Sequence, residues 1–126
     1  MKIKKIIIIM LLSILFISCM DSEEVQKVKN GSLLMYKNVT IEELVNGFVK
    51  DPEWESFVAD DGKTYVNIEG FIRYNGKKSK LGIQYRLDPD DRFWFNAMTI
   101  NGEEQYEYVY RELMYKMYQN YLKKKY

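Results

Sequence analysis

The most regular pattern in the chain runs from Thr64 to Leu87, where apolar positions recur at every second residue. Val66, Ile68, Gly70, Ile72 and Tyr74 fall on one face of an extended chain, and Tyr65, Asn67, Glu69, Phe71 and Arg73 fall on the other. Asn75-Gly76 follows, a dipeptide suited to a two-residue hairpin turn because both residues tolerate positive φ. That turn pairs Tyr74 with Lys77, Ile72 with Ser79, Gly70 with Leu81, Ile68 with Ile83 and Val66 with Tyr85. The apolar set of the second strand (Leu81, Ile83, Tyr85, Leu87) then lands on the same face as that of the first. Turn chemistry and hydrophobic period agree on one register. After the turn Asp88-Pro-Asp-Asp91, Arg92–Ile100 reads as a third strand. Both of its faces are apolar; Phe93, Phe95 and Ala97 are the preferred inward set over Trp94, Met98 and Ile100.

Helical spacing frames this meander. Thr40-Ile-Glu-Glu43 is a capping box, and Val39 with Leu44 fits a hydrophobic staple. Ile41, Leu44, Val45 and Phe48 then share one helix face. Asp51-Pro52 predicts a second short helix carrying Trp54, Phe57 and Val58. Asn101-Gly102 breaks the third strand. Glu103 and Glu104 suit the start of a long last helix, and Lys123–Lys125 suits its end. On that helix Tyr106, Val109, Tyr110, Leu113, Met114, Met117 and Tyr121 form one broad apolar arc, expected to pack on the sheet. Tyr108, Arg111, Tyr115, Tyr118 and Leu122 lie across from it. One buried face does not account for them, and Tyr and Arg are enriched where proteins meet. They are the candidate partner face. Leu33-Leu-Met-Tyr36 reads as an edge strand or a packed approach to the first helix.

The N-terminus has another pattern. A basic start, Met1–Lys5, precedes an apolar run, Ile6–Ile17, broken only by Ser13, and the chain turns polar at Asp21. The run is shorter than the ~20 residues of a spanning helix and has the three-part form of a secretory signal. Asp21–Ser32 is polar and reads as a linker, in which Val25 and Val28 are the positions able to dock. Fully extended, twelve such residues reach roughly 40 Å.

Removing residues 1–18 leaves 108, enough for one small domain, and takes away Lys2, Lys4 and Lys5. Nineteen basic residues become sixteen against eighteen acidic, a formal charge of −2 where the whole chain has +1. That balance gives no reason to expect nucleic acid. Eleven Tyr, two Trp and six Phe supply a core. Cys19 is the only cysteine and there is no histidine. Ser-His-Asp or Cys-His nucleophile systems and Cys/His zinc sites are therefore excluded, and no Gly-rich phosphate loop is present. The paired carboxylates Glu42/Glu43, Glu53/Glu55, Asp60/Asp61 and Glu103/Glu104 are explained as caps, turns and solvated faces. Asp88–Asp91 lacks the spacing of a calcium loop. No catalytic residue, metal or cofactor is expected. Asn30-Gly-Ser32 and Asn38-Val-Thr40 match the glycosylation pattern and are discounted, since capping explains Thr40.

Phe16-Ile17-Ser18-Cys19 resembles the lipobox of bacterial lipoproteins, with Phe16 where that pattern usually has Leu. The resemblance covers residues 1–19. It implies cleavage between Ser18 and Cys19, diacylglycerol on the Cys19 sulfur, and acylation of the new N-terminus by a chain such as palmitate. Two or three chains would hold the protein to a bacterial membrane, inner or outer being open, at ~0.8 kcal/mol per buried CH₂. Val39-Thr-Ile-Glu-Glu43, Phe48, Trp54-Glu-Ser-Phe57, Gly62-x-x-Tyr65-Val66, Gly70, Phe93, Phe95, Ala97 and Ile100-Asn-Gly102 also resemble small uncharacterised domains found in bacterial lipoproteins. That resemblance spans roughly residues 28–102 and implies a fold and a setting but no activity.

The expectation is thus a signal peptide over 1–18, lipidated Cys19 and a tether over 19–32, and one α+β domain over 33–126. The domain would hold short N-terminal helices, a three-stranded antiparallel meander and a long C-terminal helix packed on the sheet. The leading function is non-catalytic binding of another envelope protein by a membrane-anchored module. The alternatives are a tethered small-molecule, glycan-binding or carboxylate-using domain with a cleft lined by Trp54 and Trp94, and a structural envelope spacer.

Overall fold

The computed structural model describes residues 21–126. The leader 1–18 and the junction at Ser18 and Cys19 lie outside the described residues. The fold is α+β. Five antiparallel strands form one sheet in sequential order: β1 (Lys50–Val58), β2 (Thr64–Tyr74), β3 (Lys77–Leu87), β4 (Phe93–Ile100) and β5 (Glu103–Glu104). Helices α1 (Glu23–Lys29), α2 (Ile41–Asn46) and α3 (Glu107–Lys125), with a 3₁₀ turn at Leu34–Tyr36, contribute to one core with its inner face.

The central hairpin follows the register set by its turn. Tyr74 pairs with Lys77, Ile72 with Ser79, Gly70 with Leu81, Ile68 with Ile83 and Val66 with Tyr85. Asn75 and Gly76 have φ of 52° and 77°, the positive values such a turn requires. Val66, Ile68, Leu81, Ile83 and Tyr85 are all buried in the core.

The sheet has two strands more than the meander expected from sequence. Asp51-Pro52 starts no helix; it sits in an irregularity of β1, between the pairs Lys50–Phe71 and Glu53–Glu69. Asp51 has φ 53°. Proline is tolerated there because β1 is an edge strand, where a missing amide donor breaks no ladder bond. Gly70 makes the crossing possible. A Cβ on it would lie 2.4 Å from Val49 Cγ1 and 3.0 Å from the Lys50 carbonyl oxygen.

The second added strand is β5. Asn101 and Gly102 have φ of 54° and 82° and form another tight turn, so Glu103 and Glu104 pair back on Ile100 and Thr99 instead of opening the last helix. Helix α3 starts after Tyr106, its N-cap residue. Tyr110, Leu113, Met114 and Met117 are buried, Val109 and Tyr121 are half-buried, and Tyr106 is exposed.

Strand β4 splits the two inward sets that its sequence offers. Ala97 pairs with Gln84 but Phe95 pairs with Tyr85, so Asn96 is an extra residue in the ladder. A bulge of this kind shifts the side-chain alternation by one residue. Phe93 and Phe95 stay on the inner face below it; above it Met98 and Ile100 take over, and Ala97 turns to the outer face.

The Asp21–Ser32 segment is not a tether throughout. Ser22 caps α1 by accepting from the Val25 amide at 3.1 Å, and its hydroxyl meets that of Ser56 at 2.7 Å. Val25 and Val28 lie in the core at 1% and 0% exposure. Lys29 holds Asp21 at 2.5 Å and sits 5.2 Å above the Trp54 ring. The folded domain therefore includes α1. Leu34–Tyr36, expected as a strand or packed approach, is a single 3₁₀ turn whose Tyr36 ring stacks on Tyr118 at 4.4 Å.

Helix α2 carries the capping box read from Thr40 and Glu43. The Glu43 amide donates to the Thr40 hydroxyl at 3.1 Å, and the Thr40 amide donates to the Glu43 carboxylate at 2.9 Å. Asn120 and Lys124 of α3 both donate to the Gly47 carbonyl, at 2.6 and 3.0 Å, which ties the two helices together.

Candidate functional site

The candidate residues on α3 are spaced three and four apart, so they form one stripe along the helix. The structure divides that stripe. Tyr108 and Tyr115 are 62% and 51% exposed. Arg111 lies between them, exposed, with its guanidinium 3.2 Å from the Glu107 carboxylate. Tyr118 is half-buried beneath Tyr36. The phenol of Tyr36 is pushed above its usual pKa, first by burial and then by the neighbouring Tyr115 and Tyr118. Leu122, half-buried, lines a separate shallow surface with Phe48, Asn120 and Tyr126.

Arg111 of the stripe lines an apolar groove of about 530 Å³. One wall is α3, through Tyr110, Arg111 and Met114. The facing wall is the start of β4, through Phe93, Trp94 and Phe95, and Leu33, Leu34 and Met35 close one end. Phe95 stacks on Tyr110 at 3.9 Å, which fixes the helix against the strand. Leu34 and Met35 are 86% and 61% exposed, and Trp94 is 45% exposed. Three large apolar or aromatic side chains therefore remain in water around one groove, and Tyr108 and Tyr115 are exposed on the helix beside it. Apolar exposure gathered in this way marks a binding surface more often than scattered single residues do.

Only part of this site lay on a sequence period. Tyr108, Arg111 and Tyr115 were legible as a helix stripe. Leu34, Met35, Phe93, Trp94 and Phe95 were not, because the 3₁₀ turn and β4 meet only in the folded chain.

The outer face of the sheet is different in character. The Gln84 amide donates to the Asn67 carboxamide oxygen at 3.0 Å, and Asn96 donates to Gln84 at 2.6 Å. Phe57 stacks on Tyr65 at 5.6 Å, and the Tyr65 hydroxyl donates to Asp61 at 2.8 Å. Burial, with the Asp61 bond second, pushes the Tyr65 phenol up to about 12. Burial also raises the Glu69 carboxyl above the usual carboxylate range.

A cleft holding both tryptophans is not formed. Trp54 is on β1 opposite Ile68, on the inner face. Trp94 is on β4 opposite Arg86, on the outer face, with two strands between them. The aspartates of the 88–91 turn are each engaged. Asp88 accepts from Arg86 at 3.0 Å and from the Trp94 indole at 2.6 Å, which holds its carboxyl below the usual range. Asp90 binds Arg92 at 2.9 Å and Asp91 binds Lys27 at 2.7 Å.

Among the described residues no helix is long and apolar enough to cross a membrane. Compared with known proteins, the chain matches no family model, no curated protein and no solved structure.

Proposed function

We propose that this chain is a non-catalytic protein-binding module, anchored by lipid at Cys19 to a bacterial membrane, that engages another envelope protein through the α3–β4 groove and the adjoining Tyr108/Arg111/Tyr115 stripe. The observation that carries the binding role is the exposure of Leu34, Met35 and Trp94 around one groove, with Tyr108 and Tyr115 exposed on the helix beside its Arg111. The anchor rests on the residues 16–19 motif.

The position of α1 changes what such an anchor does. Between Cys19 and the first helical residue, Glu23, stand only Met20, Asp21 and Ser22. Three extended residues reach roughly 10 Å. An acylated Cys19 would hold the domain against the headgroups, and any partner would be a membrane-proximal one. A second reading is a small-molecule ligand in the same groove, since its volume lies in the range of ligand pockets, roughly 300–1,000 Å³.

Photo-crosslinking in cells tests the proposal, from position 115 and separately from position 35, in chain that retains Cys19. A discrete heterologous adduct from both positions is the expected result. A self-adduct would replace the partner with a second copy, and absence of any discrete adduct would overturn the binding role. Incorporation of an alkyne fatty acid, lost in Cys19→Ser, tests the anchor separately.

A further inference from the structure

The two edges of the sheet are built differently. On one side the outer strand is β1, with Pro52, an irregularity between Lys50 and Glu53, and the charges of Glu53 and Glu55. Proline, bulges and charges are what keep an edge from pairing with another strand.

On the other side β5 covers only the end of β4. It pairs with Thr99 and Ile100, and the Gln105 amide then donates to the Met98 carbonyl at 2.8 Å. The chain leaves for α3 at that point. Among the described residues no strand lies beside Phe93–Ala97 on this side. The free segment reads Phe-Trp-Phe-Asn-Ala, with no proline and no charge; the extra residue Asn96 interrupts its spacing, so Phe93–Phe95 is its regular part. Backbone amides and carbonyls along such an edge are a template for another chain.

The groove runs along this edge. Its wall includes consecutive residues from Asp91 to Phe95, whose side chains alternate between the two faces of the sheet. A cavity lined by both parities is bounded by the strand's edge itself and not by one face.

The charges at its rim are already matched. Asp91 is held by Lys27 at 2.7 Å, Arg92 by Asp90 at 2.9 Å, and Glu107 by Arg111 at 3.2 Å. An incoming charge would meet no partner that is not already engaged, and it would lose water against the apolar wall. The complementary occupant is uncharged.

We propose that Phe93–Ala97 accepts an uncharged, apolar, extended segment of a partner protein as an added strand. This rests on the protein-binding reading above and specifies its mode. Main-chain hydrogen bonds to the edge would supply affinity. Alternate side chains would enter the groove between Phe95, Met114 and Leu34, and the intervening ones would lie over Trp94. The free segment, five residues with the bulge at Asn96 among them, is of the length of an ordinary short strand.

The test uses the full-length chain in lipid nanodiscs and three capped peptides of about seven residues. One alternates valine and threonine, the second is the same peptide N-methylated on alternate amides, and the third alternates valine and lysine. Hydrogen exchange at Phe93–Ala97 is the readout. The first peptide is expected to slow exchange of the outward amides about tenfold or more, and the other two to leave them unchanged. Met35→Asp, at an exposed rim position, is expected to weaken the first peptide about tenfold without changing thermal unfolding.

Equal protection by the N-methylated peptide would make the groove merely apolar and overturn strand addition. Equal protection by the lysine peptide would overturn the charge argument. Protection that rises with chain concentration alone, with dimers in sedimentation, would make a second copy the occupant and overturn a foreign segment. Discrete adducts from position 115 with no peptide protecting Phe93–Ala97 would leave the binding role standing and sink its mode. Protection by the first peptide with no cellular adduct would leave the edge site and sink the envelope partner.

Discussion

The hydroxyls of Tyr85 and Tyr110 meet at 2.8 Å inside the core, one from the centre of the sheet and one from helix α3. Their rings are edge-on at 6.2 Å, and Phe95 stacks on Tyr110 beside the groove. Burial pushes the Tyr110 phenol up to about 12 and drives that of Tyr85 well above its usual value. Each hydroxyl is the other's partner, so the pair fixes where α3 sits on the sheet. Tyr110→Phe should cost about 1–3 kcal/mol, because it strands a buried hydroxyl on Tyr85. Changing both residues to Phe should recover part of that loss. Urea unfolding of the two single variants and the double one measures the coupling, and additive losses would show that the hydroxyls do not act as a pair.

Gly70 is a close-approach glycine. Gly70→Ala should lose about 1–3 kcal/mol through overpacking against Val49 and the Lys50 carbonyl. Val49→Ala in the same chain should return part of it, since Val49 Cγ1 is the nearest atom. Thermal unfolding of the single and double variants checks this.

Helix α1 belongs to the domain. Val28→Ala should cost about 2 kcal/mol, the scale of burying a valine side chain. Ser22→Ala should cost about 1 kcal/mol through loss of its cap. A flexible tether would show no change in denaturant midpoint for either substitution.

Glu69 makes stability depend on pH. Burial is the largest cause of its raised pKa; the Glu53 charge acts in the same direction, and Lys80, 3.9 Å away, opposes them. The native state therefore holds the proton more tightly than the unfolded chain, and stability falls as pH rises above the unfolded value of about 4.3. Glu69→Gln has no such loss. Its midpoint in urea should match the parent's below about pH 4 and exceed it at neutral pH. A difference constant with pH would remove Glu69 from the account.

The candidate stripe on α3 is divided where Tyr36 stacks on Tyr118. Tyr115→Ala should weaken partner capture while leaving stability within about 0.5 kcal/mol, as an exposed site does. Tyr118→Ala should destabilise instead, because its ring stacks on Tyr36. Pull-down yield and melting temperature, read on the same two variants, separate binding from packing.

Sequence alone determined the elements whose signals are local. The β2–β3 register follows from Asn75-Gly76 and a strict period of two. The α2 start follows from the reciprocal bonds of Thr40 and Glu43. The buried arc of α3 follows from helical spacing. The tertiary structure decided what depends on neighbours. Asp51-Pro52 can begin a helix or bend an edge strand, and the presence of β2 with Gly70 beneath it selects the strand. Asn101-Gly102 has the same turn chemistry as Asn75-Gly76, but the strand after it is only two residues long and carries no period to announce it. In β4 the bulge at Asn96 switches the inward set midway, and its cause lies in pairing with β3. The groove too was decided only in the folded chain. Its walls come from residues near 34, 94 and 110, distant in the chain and brought together by the stacking of Phe95 on Tyr110 and of Tyr36 on Tyr118.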